Sequence, residues 1–155
     1  MSTSALPGAI TALLAVLRAA GGLSDVLVID GPPSGDVATA DFLTVGWSGG
    51  EDQAADVQQE FNAAGARTRD EEFVISNAID VWDGGEDFTA LRQRAFDILA
   101  VVEQALRATG SNPEAPTLNG AVLWAHLTRA SLRQYFTDQG ARVALGFTVS
   151  CHARI

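Results

Sequence analysis

Two long stretches of this chain alternate apolar and polar residues, and that alternation limits the fold more than any other feature. From Thr68 to Trp82, the residues Phe73, Ile75, Ile79 and Val81 fall on one side, with Asn77 among them. Val74, Ser76, Ala78, Asp80 and Trp82 fall on the other. After Thr137-Asp138-Gln139-Gly140 the pattern returns. Val143, Leu145, Phe147, Val149 and Cys151 form an apolar side, and Arg142, Thr148, Ser150, His152 and Arg154 mark a polar one. Successive side chains of a strand point to opposite faces, so each stretch reads as a long strand with one buried face. Such faces need a partner layer.

Two helical patterns supply that layer. Leu6, Ile10, Leu13, Leu14 and Leu17 recur at helical spacing, and Gly21-Gly22 closes the segment. Phe88, Leu91, Ala95, Ile98, Val102 and Leu106 step by three and four, which predicts a helix over about 87–109. Asp87 or Asp83 caps its start, Gly110 ends it and Pro113 prevents continuation. Shorter strands are expected at Val26–Asp30 and Phe42–Trp47. Gln53–Asn62 suits a half-exposed strand, with a short helix as the competitor. A further strand is expected over about 121–136, but its alternation is less clean. Its register depends on the turn: a two-residue loop places Tyr135 opposite Arg142, and a three-residue loop with a glycine bulge shifts the pairing by one. The expected fold class is α+β, a mostly antiparallel or mixed sheet flanked by an N-terminal helix and one long central helix. The 155 residues suit a single domain over the whole length.

Composition narrows the function. The formal charge is −9, a poor match to tight duplex binding, which rests on neutralising phosphates. Charge is uneven along the chain. Residues 1–66 hold one arginine against eight acids, and residues 107–155 hold five arginines against two. An acidic front and a basic tail can meet within one subunit or between subunits arranged head to tail. Every base is an arginine, a planar group able to hold a carboxylate with two hydrogen bonds. The one cysteine, Cys151, leaves no internal disulfide and no thiolate metal cluster. Leu6 to Leu17 is apolar, but no positive charge precedes it, so it reads as part of the fold rather than as a signal peptide. No apolar run approaches the ~20 residues of a membrane span, and no membrane partner is expected.

The loops carry few residues arranged for chemistry. Asp30-Gly31-Pro32-Pro33-Ser34-Gly35-Asp36 follows a strand, as phosphate loops do. Its two prolines lack N–H donors and the next element is a strand, so a turn is the better reading. Cys151 and His152 are neighbours on a strand and point apart, which rules against a dyad between them. His126 reads as a structural histidine. Asp80, Asp83, Glu86 and Asp87 lack the spacing of a calcium loop, and helix capping accounts for Glu86 and Asp87. No catalytic residue, cofactor or metal is assigned. Trp47, Trp82 and Trp124 read as core plugs first and interface anchors second.

The order of segments resembles the tail terminator proteins of long-tailed phages with non-contractile tails (siphophages), especially those of actinobacterial phages. The residues that carry the likeness are Val28-Ile29-Asp30-Gly31-Pro32-Pro33 after an N-terminal helix, Phe42-Leu43-Thr44-Val45-Gly46-Trp47, and Gly65-Ala66-Arg67-Thr68-Arg69-Asp70-Glu71-Glu72-Phe73. Further on come Trp82 before the Gly84-to-Arg107 helix, Thr117-Leu118-Asn119-Gly120, and Gly140-Ala141-Arg142 leading to Phe147-Thr148-Val149. Asn77 departs from the small or apolar residue usual within that strand. The resemblance implies a virion protein without chemistry: subunits closing into a six-membered ring that caps the tail tube and ends its growth. The ring would meet the tail tube protein on one side and the head–tail connector or head completion protein on the other. DNA would pass through its hole without sequence-specific binding.

On that reading the expected subunit contact sets Arg129, Arg133, Arg142 and Arg154 against Asp70, Glu71 and Glu72, or against Glu51 and Asp52, of the next copy, with Trp47 beside it. The loop Asp30 to Asp36 would face a neighbouring ring. Two rival readings stand beside it: a related connector or tail completion subunit, and a small enzyme built on Asp30 and the acids from Asp80 to Asp87. The enzyme requires a concave site with a strongly shifted acid.

Overall fold

A computed structural model describes residues 2–34, 41–50, 52–65 and 67–155. The two alternating stretches form the spine of the molecule. Strand β4 (Arg69–Trp82) pairs antiparallel with β6 (Gly140–Arg154), from Asp70 opposite Arg154 to Trp82 opposite Arg142. β5 (Trp124–Thr137) lies outside β6, antiparallel to it. The other side of β4 is shared. β3 (Ala55–Phe61) pairs antiparallel with its first half, and β2 (Phe42–Val45) with its second. β1 (Leu27–Asp30) then pairs with β2 in parallel. The sheet is therefore mixed and the class is α+β, as expected.

One face of this sheet is apolar, and both helices cover it. α1 (Leu6–Ala19) buries Ala9, Leu13, Leu14, Val16 and Leu17. α2 (Phe88–Ala105) buries Leu91, Ala95, Ile98, Leu99 and Val102. These meet Leu43 and Val45 of β2, Phe73, Ile75, Ile79 and Val81 of β4, and Val143, Leu145, Phe147 and Val149 of β6 in one core. Burying such a side chain contributes about 1.5–3 kcal/mol. Asp87 caps α2, accepting from the Ala90 N–H at 3.1 Å. The helix stops at Ala105, short of the expected 109, and beyond it Thr109 and Asn112 close a turn on each other.

Two polar residues lie on this apolar face, each at a place where backbone needs a partner. Asn77 is fully buried where the free side of β4 changes partner from β3 to β2. Its Nδ2 donates to the Ile75 carbonyl at 3.0 Å, and its Oδ1 accepts from the Gly46 N–H at 3.4 Å. Glu71, also fully buried, holds the start of α1. No side chain of α1's own N-cap, Ala5, serves that role. Glu71 Oε1 accepts from the Ala5 N–H at 2.8 Å, and Oε2 accepts from the Gln59 side chain, which also donates to the Thr3 carbonyl. A negative group at a helix N-terminus opposes the positive end of the helix dipole.

The hairpin between β5 and β6 takes the two-residue register, with Tyr135 opposite Arg142 and Thr137 opposite Gly140. Gly140 sits at φ 116°, and a Cβ there would lie 2.5 Å from the Gly84 carbonyl carbon. Backbone strain and overlap then act together. Gly140→Ala should destabilise the fold by about 2 kcal/mol or more, read as a lower urea midpoint. An unchanged midpoint would contradict this close approach. Glu71→Ala should cost about 1–3 kcal/mol through the buried donors left unpaired. It should also speed amide exchange at Ala5, and wild-type exchange there would refute the cap.

Candidate functional site

The other face of the sheet has no helix over it. Its composition follows from the pairing register. β6 turns Arg142, Gly146, Thr148, Ser150, His152 and Arg154 to this side, opposite its buried apolar residues. β5 reaches the same side through an irregularity. Leu127 pairs with Val149 and Arg129 with Thr148, so Thr128 is an extra residue. A bulge of this kind reverses which side chains face which way. Before it, Trp124 and His126 share the open face; after it, Arg129, Ser131, Arg133 and Tyr135 do. Without the bulge, Arg129 and Arg133 would point to the helix side. Thr128 Oγ1 lies 2.7 Å from Ser150 Oγ and 3.1 Å from Thr148 Oγ1.

A trough of about 800 Å³ crosses this face. Ser76, Gly146 and Thr148 line its floor, Arg129 and Arg133 one wall, and Asp52 and Asp56 the other. The loop after β2 folds over part of it, and an Arg133 guanidinium N–H donates to the Ser48 carbonyl at 3.4 Å. A second hollow of about 510 Å³ adjoins Trp124, His126, Glu72 and Gln58. There the Trp124 ring stacks on His126, with centroids 4.7 Å apart, and on His152, 5.7 Å apart.

The expected contact residues separate into distinct environments. Arg142 Nε donates to Asp80 Oδ1 at 2.6 Å, and Arg154 Nε donates to Asp70 Oδ1 at 2.8 Å. Both are ion pairs within one subunit. Arg142, Arg154, Asp80 and Asp70 thus have partners within the subunit. Glu71 is a clearer correction: it is on the helix side and buried, where alternation along β4 puts it, so no surface contact reaches it. Glu72 is exposed on the open face, 3.6 Å from His152 Nδ1. Asp52 is exposed and Trp47 half-buried beside the trough's loop, and Trp124 is exposed rather than in the core. Arg129 and Arg133 form no ion pair among the described residues. Asp30 to Ser34 leave the end of β1, where the Gly31 N–H donates to the Val45 carbonyl at 2.8 Å. They lead to a parallel strand rather than close a hairpin. Glu51, Gly35 and Asp36 lie outside the described residues.

The acids on which the enzyme reading rests do not line the trough. The trough is lined by Asp52 and Asp56, not by Asp30, Asp80, Asp83, Glu86 or Asp87. Asp83 accepts from the Gly85 N–H and Asp87 caps α2. Cys151 lies on the helix side, and burial pushes its thiol up to about 12. His152 and His126 face the opposite way, so neither imidazole meets it. Among the described residues, no three His, Cys, Asp or Glu side chains come together as a metal site. No helix described is long and apolar enough to cross a membrane.

No protein-family model and no curated protein sequence matches the chain. Among solved structures, it is similar to a chain of the "Virion of native gene transfer agent (GTA) particle". The TM-score is 0.59 with 16% sequence identity, over 98% of this chain and 100% of the other. The two share a fold across their whole lengths.

The two ion pairs titrate in opposite senses. Burial raises the Asp80 carboxyl above its ordinary value, and the Arg142 hydrogen bond and charge oppose that only in part. The folded state thus holds this proton more tightly than the unfolded chain. Its contribution to stability is greatest below the unfolded pKa and declines as pH rises through the folded value. Asp70 is lowered, chiefly by the hydrogen bond from Arg154. Its contribution is complete above the unfolded pKa and lost as pH falls through the folded one. A carbon-13 carboxyl titration should find Asp80 above Asp70. Arg142→Ala should move Asp80 further up, since its hydrogen bond and most of the opposing charge are then lost; an unmoved Asp80 would refute the pair's role.

Proposed function

We propose that this chain is a structural subunit of a tailed, phage-like virion, and that it serves there as a tail terminator. The observation that carries this reading is the fold shared end to end with a chain of a gene transfer agent virion. The order of segments that resembles siphophage tail terminators supports the narrower role. Copies close into a ring, a hexamer on the family pattern, which caps the tail tube and ends its polymerisation. One side of the ring meets the tail tube protein and the other the head–tail connector or head completion protein. DNA passes through the hole. A subunit of net charge −9 offers little for phosphates to hold, which suits sliding rather than gripping.

The surface suits assembly. Its trough is wide and open, with arginines on one wall and carboxylates on the other. Charged walls of opposite sign favour head-to-tail contact, in which the two halves of an interface are different surfaces. The segment from Asp30 to Ser34, with Gly35 and Asp36 after it, is assigned to contact with a neighbouring ring.

Negative-stain imaging and native mass of the purified protein, alone and mixed with tail tubes of its virion, test this reading. Rings, or caps at one tube end, are the expected result, and the mass gives the subunit count. Binding to the connector with no effect on tubes would replace the terminator by a connector or completion subunit. A monomer that ignores both would overturn the assembly role.

A further inference from the structure

Among the described residues three strands of the sheet pair on one side only, the four-residue β1 being one of them. β5 pairs with β6 alone and β3 with β4 alone. Such edges present unpaired N–H and C=O groups, and soluble proteins usually keep them short or covered. β5 is neither. From Arg129 to Phe136 every residue is exposed, including Leu132 at 40% and Phe136 at 62%. The strand carries two arginines and no acid, whereas β3 carries Asp56 and Glu60 and no base.

Strand direction makes the two edges compatible. β3, β4, β6 and β5 are each antiparallel to the next, so β3 and β5 run in opposite directions. Continuing the sheet from β5 of one copy into β3 of the next therefore gives an antiparallel pair. One register satisfies the charges throughout. It sets Arg133 opposite Asp56, Ser131 opposite Gln58 and Arg129 opposite Glu60, all on the helix-free face. On the other face the same register sets Leu132 opposite Val57. Slipping by two residues breaks both ion pairs.

We infer that β5 of one copy adds to β3 of the next in this register, joining the subunits through a continuous antiparallel sheet. The inference rests on the ring reading and supplies its contact. Within one subunit β3 lies level with the first part of β5, before the bulge. Pairing beyond the bulge therefore offsets neighbouring copies along the strands. Closed sheets take up such an offset as strand tilt. The bulge at Thr128 gains a purpose: it brings Arg129 and Arg133 to the face that carries Asp56 and Glu60. The contact joins unlike surfaces, so repetition leads to a ring or an open helix.

Cysteine pairing tests it. Ser131 and Gln58 are both exposed, and the native Cys151 is buried. A chain carrying Ser131→Cys and Gln58→Cys, alone and on tail tubes, should give a ladder of multimers with oxidant or with a short bis-thiol reagent. Each single variant should stay uncrosslinked, and the two mixed should stop at dimers. Ser131→Cys crosslinking by itself would mean β5 meets β5 and would overturn the inference. Rings visible by imaging without crosslinks would overturn the strand contact and leave the ring. No assembly and no crosslinks would overturn both. In a second arm, Arg129→Glu with Arg133→Glu should abolish assembly. Asp56→Arg with Glu60→Arg should do the same, and the four together should restore it. No rescue in folded protein would overturn the pairing register.

Discussion

The antiparallel ladder between β4 and β6 is the constraint on which the other elements depend. It runs from Asp70 and Arg154 at one end to Trp82 and Arg142 at the other. Every residue along it is committed to one face or the other, because a strand has no third choice. One commitment builds the core under α1 and α2. The other builds a polar surface with small residues at its centre. Ion pairs lie near both ends of the ladder, Arg154 with Asp70 and Arg142 with Asp80.

The buried polar groups sit where the ladder cannot satisfy its neighbours. Asn77 serves backbone at the gap between β2 and β3. Glu71 reaches from β4 to the first turn of α1, a segment distant in sequence, and ties the helix layer to the sheet. An unpaired donor at either place would cost about 1–3 kcal/mol. A carboxylate inside an apolar face is therefore part of the architecture here, although the residue type suggests a surface role.

The same physics separates the arginines. Arg142 and Arg154 stand on a central strand, within reach of acids on the neighbouring β4, and are used internally. Arg129 and Arg133 stand on an edge strand beyond the bulge, with β6 between them and those acids. Among the described residues neither makes an ion pair, and Arg133 donates to the Ser48 carbonyl. The internal pairs tie the two central strands to each other.

Local pattern determined a good deal on its own. The periods of two and of 3.6 located both helices, the long strands and their buried faces, since burial of one face demands that spacing whatever lies opposite. A cap at Asp87 or Asp83 and the opposed directions of Cys151 and His152 followed from the same local rules, and the fold chose Asp87. Tertiary structure decided the rest. The blurred alternation of β5 came from an extra residue at Thr128, whose effect depends on its partner strand. The parallel pairing of β1 with β2 depends on where the chain returns. The pairing of Arg142 with Asp80, and the burial of Glu71 under α1, depend on residues far apart in sequence. Periodicity reports how one segment divides between core and water. Which charges meet is decided only when separate segments share a sheet.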